Sequence, residues 1–207
     1  MMRYQNAIWD FDGTLYDTYP AMMAALVQVY RQHQVAVDSK QLYQTIKQTS
    51  IKRVLQGLAQ QTEIAFEQLD QEYHQLEQKL QQAPQPYPGA ATILQQVSLN
   101  GQNFLLTHRD SAAERFLAAD GLIDYFTAII TSQAGFARKP APDSLNTLCE
   151  QYQLDKIKTV MIGDRELDIQ AGINAQVATA YFDIDHLPIT VQPTLTITQL
   201  GALKPYF

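Results

Sequence analysis

Four short groups of polar residues contain the side chains of this sequence that could carry out chemistry together. The first is Asp10-Phe11-Asp12-Gly13-Thr14, which has two carboxylates two residues apart. The others are Thr107-His108, Lys139-Pro140, and Gly163-Asp164 followed by Asp168. Carboxylate oxygens suit a hard cation, a hydroxyl with nearby backbone N–H groups can hold phosphate oxygens, and a lysine supplies a compact positive charge. Together these are the parts of a phosphoryl-transfer site.

The carboxylates would divide the chemistry between them. A carboxylate beside a bound cation can attack phosphorus and form an aspartyl phosphate, because the cation reduces the repulsion between two anions. A second carboxylate two residues later can protonate the leaving oxygen and afterwards activate a water molecule. A single Asp is more simply explained as the end of a strand and the start of a turn, but the whole constellation makes that explanation weak.

The elements that precede these groups must position them. Five short apolar runs predict strands buried on both faces, at residues 7–9, 103–106, 128–130, 159–162 and 177–181. Helical patterns alternate with them at residues 90–97, 111–119, 142–152 and 166–172, and the second opens with the capping-box spacing Ser111…Glu114. This order predicts an α/β fold with a mostly parallel sheet and helices on both sides. Ligands bind beyond the carboxyl ends of such strands, so the polar groups are expected to meet at one end of the sheet.

The segment between Asp17 and Pro86 has a different pattern. It contains no strand-like run, and apolar residues at positions 66, 69, 73, 76 and 80 mark one face of a helix. We predict a helical domain, residues 18–86, inserted into a core formed by residues 1–17 and 87–207. Its exits are a polar turn near Asp17 and a stretch with three prolines, at positions 84, 86 and 88, which suits a stiff hinge.

The four groups resemble, in order, the four motifs of the haloacid dehalogenase superfamily of phosphatases. Asp10-Phe11-Asp12-Gly13-Thr14-Leu15 is similar to the first motif, Leu105-Leu106-Thr107 to the second, Lys139-Pro140-Ala141-Pro142-Asp143 to the third, and Gly163-Asp164 with Asp168 to the fourth. The helical insertion is similar to the small α-helical cap of phosphoglycolate-phosphatase-like and β-phosphoglucomutase-like members. The resemblance covers the whole chain and implies a three-layer Rossmann-like core with a small all-α cap inserted after the first strand.

The resemblance also implies a Mg²⁺-dependent phosphohydrolase that acts on a small phosphorylated metabolite. Asp10 would be the nucleophile and a metal ligand, and Asp12 the general acid/base that also lends its backbone carbonyl to the metal. Asp164 would be the other direct metal ligand, while Thr107 and Lys139 would hold the transferring phosphoryl group. The family's dehalogenases lack the second Asp of the first motif, so the presence of Asp12 favours phosphate-ester chemistry.

Two further positions belong to this predicted site with roles that stay open. If a helix begins near Asp164, then Asp168 lies four residues later on the same face. We expect Asp168 to serve the metal through a water molecule or from behind the direct ligands. His108 stands where the family often has Asn or Ser; its backbone N–H could bind phosphate, but its side chain is assigned no role.

The helical insertion holds a weaker candidate pair. Thr49-Ser50 precedes an apolar pattern that predicts a helix start at Ser50, with Lys52 and Arg53 in the first turn. Positive charges there oppose the helix dipole, although a solvated surface is the simpler explanation. Because the resemblance places a substrate-facing loop of the cap near this point, our hypothesis is that Lys52 or Arg53 contacts the anionic part of the substrate. The cap itself would close over the site, exclude bulk water and select the leaving group.

Two alternatives stay open. A phosphosugar mutase would use the same residues but return the phosphoryl group to a second hydroxyl of a hexose phosphate, and nothing in the four motifs separates it from a hydrolase. A regulatory module that kept the fold and lost catalysis is disfavoured by the intact set of motif residues. Neither the natural substrate nor the oligomeric state can be predicted from the sequence.

Composition argues against several other classes of protein. The chain has 207 residues, of which 46% are hydrophobic and 17% charged, as in a globular protein with a sizeable core. The net charge of −6 disfavours binding to nucleic acid or to an anionic membrane. The single cysteine, Cys149, is predicted to lie in the core and fits a reducing compartment. Since residues 1–6 also lack the apolar stretch of a secretory signal, a cytoplasmic location is expected.

Overall fold

The computed structural model describes residues 3–207, so Met1 and Met2, which were predicted to begin the core, lie outside the described residues. The chain divides into two compact units, residues 3–17 with 85–207 and residues 18–84. The strands in chain order are β1 (Asn6–Trp9), β2 (Tyr16–Asp17), β3 (Gln85–Pro86), β4 (Gln102–Leu106), β5 (Phe126–Ile130), β6 (Thr159–Gly163), β7 (Ala178–Phe182) and β8 (Leu195–Ile197). The helices are α1 (Tyr19–Gln32), α2 (Ser39–Gln48), α3 (Ile51–Thr62), α4 (Phe66–Leu80), α5 (Ala90–Ser98), α6 (Ala112–Ala119), α7 (Asp143–Gln151) and α8 (Glu166–Asn174).

The larger unit is built on a six-stranded sheet with the order β5-β4-β1-β6-β7-β8. Every neighbouring pair in it is parallel. The central strand β1 lies between β4 and β6, so that Trp9 is aligned with Leu105 on one side and with Ile162 on the other. The predicted α/β core with a parallel sheet is confirmed, and the carboxyl ends of these three strands lie side by side.

Consecutive residues of the central strands pack on opposite faces of the sheet. Ile8 and Phe104 are fully buried in one apolar cluster, whereas Trp9 and Leu105 are fully buried in another. Because both faces are covered, these strands need continuous apolar runs instead of an alternation of apolar and polar residues. Cys149 of α7 is buried in the first of these clusters, as predicted.

Helix α6 begins with a different cap from the one predicted. The side chain of Ser111 makes no capping hydrogen bond, and the backbone N–H of Ala112 donates instead to Asp110 Oδ1 at 2.9 Å. The predicted capping box of Ser111 and Glu114 is therefore wrong. A carboxylate one residue earlier satisfies the first turn, and it also suits the positive end of the helix dipole.

Two strand features were not predicted. Strand β8 extends the sheet at the edge next to β7, where Leu195 is paired with Ala180 and Ile197 with Phe182. The connections to the helical segment form an antiparallel pair of strands, β2 with β3, in place of the predicted polar turn and proline hinge. Gln85 and Pro86, predicted to lie in the helical domain, belong through this pairing to the larger unit.

The smaller unit, residues 18–84, is entirely helical within its regular elements. Its buried cluster includes Leu26 of α1, Leu55 of α3 and Leu69 of α4, each fully buried. Helix α3 starts where it was predicted, since Ser50 Oγ accepts a hydrogen bond from the backbone N–H of Arg53 at 3.1 Å. No helix among residues 3–207 is long and apolar enough to cross a membrane.

Candidate active site

Three neighbouring strands bring the predicted site residues together. Asp10 follows β1, Thr107 follows β4 and Asp164 follows β6, and all three residues are buried. The backbone N–H of Asp10 donates to Ile162 O at 2.9 Å and that of Thr107 donates to Ile130 O at 2.9 Å, so both residues continue the pattern of the sheet. Their side chains are thus fixed by strands and not by mobile loops.

An acidic cluster occupies this edge of the sheet. Asp10, Asp164 and Asp168 are buried, and each contributes a carboxylate oxygen to a group within 4.8 Å of one another. The Thr14 hydroxyl lies 3.3 Å from Asp10 Oδ2 and 3.2 Å from Asp164 Oδ1, so it can donate its proton to either carboxylate. A set of clustered carboxylate oxygens is the donor chemistry of a hard divalent cation. The residues present therefore fit a metal ion.

Lys139 lies against this cluster. Its Nζ is 2.5 Å from Asp10 Oδ1, 2.6 Å from Asp168 Oδ1 and 3.1 Å from the carbonyl oxygen of Leu106. Burial acts to lower the pKa of Lys139, but the two carboxylates outweigh it and hold that pKa above its ordinary value. Lys139 is consequently a charged group in a buried site.

Burial also raises the pKa of Asp10, and the negative charges of Asp168 and Asp164 raise it further, against the opposing effect of Lys139. The excess of carboxylates over ammonium groups explains this direction. A divalent cation would lower the pKa of Asp10 again, because it adds positive charge next to the carboxylate.

Asp12 and Arg109 form a separate ion pair. Nε and Nη2 of Arg109 each lie 2.8 Å from Asp12 Oδ1. The side chains of Asp12 and Arg109 are 21% and 10% exposed. Asp12 is predicted to offer the metal its backbone carbonyl, and its side chain is not one of the three clustered carboxylates.

Asp168 reaches the site by a route that was not predicted. Helix α8 begins at Glu166 and not near Asp164, so the two aspartates do not share a helical face, and that prediction is wrong. Asp168 Oδ2 accepts a hydrogen bond from the backbone N–H of Arg165 at 3.2 Å, which caps the helix, while Oδ1 faces Lys139. Gly163 makes the approach possible, because a Cβ there would lie 2.2 Å from Asp168 Cβ.

The two residues that follow β4 have distinct contacts. Thr107 Oγ1 accepts a hydrogen bond from the backbone N–H of Arg109 at 3.0 Å. His108 Nε2 accepts one from the backbone N–H of Lys139 at 3.0 Å. Burial, reinforced by the positive charges of Lys139 and Arg138, lowers the pKa of His108 to about 3. Its imidazole is therefore neutral near pH 7 and able to accept this hydrogen bond.

The candidate pair in the helical unit lies on the first turn of α3, where Lys52 and Arg53 are both exposed. Lys52 Nζ is 5.9 Å from the centroid of the Phe66 ring, within the same unit. Their contact with substrate stays a prediction.

Sequence reasoning overlooked two contributors to the site. Thr14 was noted as part of the first motif without a role, and Arg109 was expected only to balance nearby carboxylates. The position of Arg109 two residues after Thr107 was the available signal. The carbonyl of Leu106 could not have been identified, since every residue has one.

Comparisons with known proteins agree with this geometry. The family model described as haloacid dehalogenase-like hydrolase matches residues 7–182. Pyrimidine 5′-nucleotidase YjjG of Escherichia coli is 32% identical over 58% of this chain, and the match spans 55% of that enzyme's own length. Phosphoglycolate phosphatase of Vibrio cholerae is 28% identical over 81% of this chain and 79% of its own. The crystal structure of a hydrolase from Streptococcus pneumoniae TIGR4 is 32% identical with a TM-score of 0.64, covering 88% of this chain and 94% of that one.

Proposed function

The chain belongs to the haloacid dehalogenase-like hydrolases and is a phosphatase of that superfamily, and from this premise we propose that it is a Mg²⁺-dependent phosphohydrolase of a small phosphorylated metabolite. The observation that carries the proposal is the position of Asp10. Its carboxylate lies at the end of the central strand, 2.5 Å from the Lys139 ammonium and in a cluster with Asp164 and Asp168. An anion held in this way can attack an anionic phosphate ester, because the surrounding positive charge offsets the repulsion between them.

In the first step, a carboxylate oxygen of Asp10 forms a bond to phosphorus in line with the ester oxygen. The bond between phosphorus and that ester oxygen breaks, and the electron pair stays on the leaving oxygen. Asp12, in its protonated form, transfers its proton to the leaving oxygen, so that an alcohol departs and an aspartyl phosphate remains.

In the second step, a water molecule attacks the phosphorus of the aspartyl phosphate. Asp12, now a carboxylate, accepts a proton from that water, and the bond between phosphorus and Asp10 breaks. Inorganic phosphate is released and Asp10 regains its carboxylate. Asp12 thus serves as acid and then as base within one cycle.

Asp10, Asp164 and the backbone carbonyl of Asp12 would hold the Mg²⁺ ion. When bound, the ion supplies positive charge that stabilises the negative oxygens of the transferring phosphoryl group. Asp168, both of whose oxygens already accept hydrogen bonds or ionic contacts, would act behind these ligands by fixing Lys139. Thr107, Lys139 and the backbone N–H of His108 would bind the phosphoryl oxygens.

A hydrolysis screen with a nucleophile variant tests the proposal. Phosphate release is measured with Mg²⁺ and with a chelator on phosphoglycolate, pyrimidine nucleoside monophosphates and hexose phosphates. We expect Mg²⁺-dependent release from at least one compound and its loss in Asp10→Asn, since the amide cannot form the aspartyl phosphate. Asp124→Asn, which changes an exposed carboxylate outside the site, is the matched control.

Three results would contradict the proposal. Asp10→Asn with full activity would exclude Asp10 as the nucleophile. Undiminished release in the chelator would exclude the metal requirement. Conversion of a hexose 1-phosphate to the 6-phosphate without release of phosphate would identify a mutase instead.

We further propose that the helical unit is the cap that selects the leaving group, and that Lys52 or Arg53 binds an anionic part of the substrate. Changing both to Ala should raise KM for the substrate found in the screen far more than KM for p-nitrophenyl phosphate, which lacks a second anionic group. Lys79→Ala, an exposed lysine of the same unit, serves as the control. Equal changes in KM for the two compounds would contradict this assignment.

A further inference from the structure

The ion pair of Asp12 and Arg109 is arranged so that one carboxylate oxygen is occupied and the other is not. Both guanidinium contacts, from Nε and from Nη2, go to Oδ1 at 2.8 Å. Among residues 3–207, Oδ2 of Asp12 has no hydrogen-bond or ion-pair partner. Oδ2 is therefore the oxygen available for exchanging a proton with a reacting group.

The backbone of Arg109 is itself fixed on both sides. Its N–H donates to Thr107 Oγ1 at 3.0 Å, and its carbonyl accepts from the backbone N–H of Ser132 at 3.0 Å. The guanidinium is 10% exposed, so its position is constrained by packing as well as by the ion pair. Arg109 thus connects Asp12 to the end of β4, the strand that also positions Thr107.

We propose that Arg109 is a positioning residue for the acid/base Asp12, holding the carboxylate by Oδ1 so that Oδ2 carries the proton to and from the substrate. The inference rests on the proposed function, in which Asp12 performs both proton transfers. A guanidinium suits this task because its N–H groups point in fixed directions from one plane, whereas an ammonium group on a flexible stem does not fix the orientation of its partner.

The consequence depends on how much the leaving oxygen needs a proton. An alkyl phosphate such as glycerol 2-phosphate leaves as a strongly basic alkoxide unless it is protonated, whereas p-nitrophenyl phosphate leaves as a stable phenolate. A misplaced acid therefore slows the first reaction much more than the second. Because kcat/KM reports the steps up to release of the leaving group, it isolates this effect from the later hydrolysis of the aspartyl phosphate.

The test compares Arg109→Gln, Arg109→Lys and Arg115→Gln with the unchanged protein on these two esters. General acid catalysis contributes about 10²-fold or more, so we expect Arg109→Gln to lower kcat/KM for the alkyl ester by about 10²-fold and to change that for the aryl ester little. Arg109→Lys should recover part of the loss. Arg115 of α6 is an exposed arginine whose Nη1 lies 3.5 Å from Ser111 Oγ, and Arg115→Gln should change neither value.

Three outcomes separate this inference from its alternatives. Equal losses on the two esters, or none on either, would overturn the positioning role of Arg109 while leaving the proposed function intact. A rise in KM for both esters at constant kcat would overturn it in favour of direct substrate binding by Arg109. Asp12→Asn is measured in parallel, and full hydrolysis of the alkyl ester by that variant would overturn the proposed function itself. Thermal unfolding of each variant shows whether the fold is retained.

Discussion

Lys139 connects several parts of the site through one buried ammonium group. It contacts the proposed nucleophile Asp10, the capping residue Asp168 and the carbonyl of Leu106. Its backbone N–H is bound in turn by the imidazole of His108. A single lysine therefore fixes the relative positions of strands β1, β4 and helix α8, besides its proposed contact with phosphate.

His108 leads to a prediction on pH dependence. Its ordinary pKa is near 6.5 and its pKa in the folded protein is about 3, so between these values the unfolded chain takes up a proton that the folded protein does not. The free energy of unfolding is therefore expected to fall as the pH drops from 6.5 toward 3. The unchanged protein should lose roughly 1–2 kcal/mol more than His108→Asn does between pH 7 and pH 5.

Urea unfolding at the two pH values measures this difference. His186→Asn is the control, because the His186 side chain is 76% exposed, and it should keep the pH dependence of the unchanged protein. The same pH dependence in His108→Asn as in the unchanged protein would contradict the assignment.

At the scale of elements, the junction of β6 and α8 decides where the fourth motif lies. The strand ends at Gly163 and the helix begins at Glu166, so only two residues connect them. Asp168 caps the helix with one oxygen and contacts Lys139 with the other. The same residue thus terminates a helix and orders the site, which it can do only because Gly163 has no side chain.

Gly163→Ala tests this junction. The new Cβ would lie 2.2 Å from Asp168 Cβ and 2.4 Å from Asp168 Cγ, so Asp168 must move and both of its contacts weaken. We expect a loss of about 1–3 kcal/mol in the free energy of unfolding together with a loss of Mg²⁺-dependent activity.

The matched substitution is Gly57→Ala in α3, where an added Cβ meets nothing within 4 Å. It should stabilise the protein by about 0.5–1 kcal/mol, since Ala favours a helix interior over Gly. Chemical denaturation of both variants provides the comparison. Unchanged stability and activity in Gly163→Ala would show that Asp168 is not held as described.

At the scale of the whole molecule, charge is divided unevenly. The segment of residues 18–86 has six basic and six acidic residues, so the net charge of −6 belongs entirely to the rest of the chain. Three of those acidic residues are the buried carboxylates Asp10, Asp164 and Asp168. The excess negative charge is therefore partly concentrated where a cation would bind.

Mg²⁺ is accordingly expected to stabilise the folded protein without any substrate. A ligand that binds only the folded state at a hundred times its Kd adds about 2.7 kcal/mol to the free energy of unfolding. The thermal midpoint should rise with Mg²⁺ concentration, and Asp164→Asn should remove that rise. Asp124→Asn should retain it, and a rise that persists in Asp164→Asn would show that Mg²⁺ binds elsewhere.

Much of this arrangement could be predicted from the sequence, because it depends on local patterns. Continuous apolar runs predicted the strands at residues 7–9, 103–106 and 159–162, since a strand covered on both faces needs apolar side chains in both directions. The polar residues after these runs then had to meet, because parallel strands end at the same edge. Fold class, the order of the four motifs and the group containing Asp10, Thr107 and Asp164 follow from that reasoning.

Only the tertiary structure decided which partner each side chain has. The contacts of Arg109 with Asp12, of His108 with the Lys139 backbone and of β2 with β3 join residues that are far apart in the chain. No periodicity records such pairings, because they depend on how loops and helices pack after the sheet has formed. Helix α8 shows the same limit at short range, where Asp168 reaches the site through a close approach to Gly163 and not through a shared face with Asp164. Sequence determined which chemical groups arrive at the site, and packing determined which atoms they contact there.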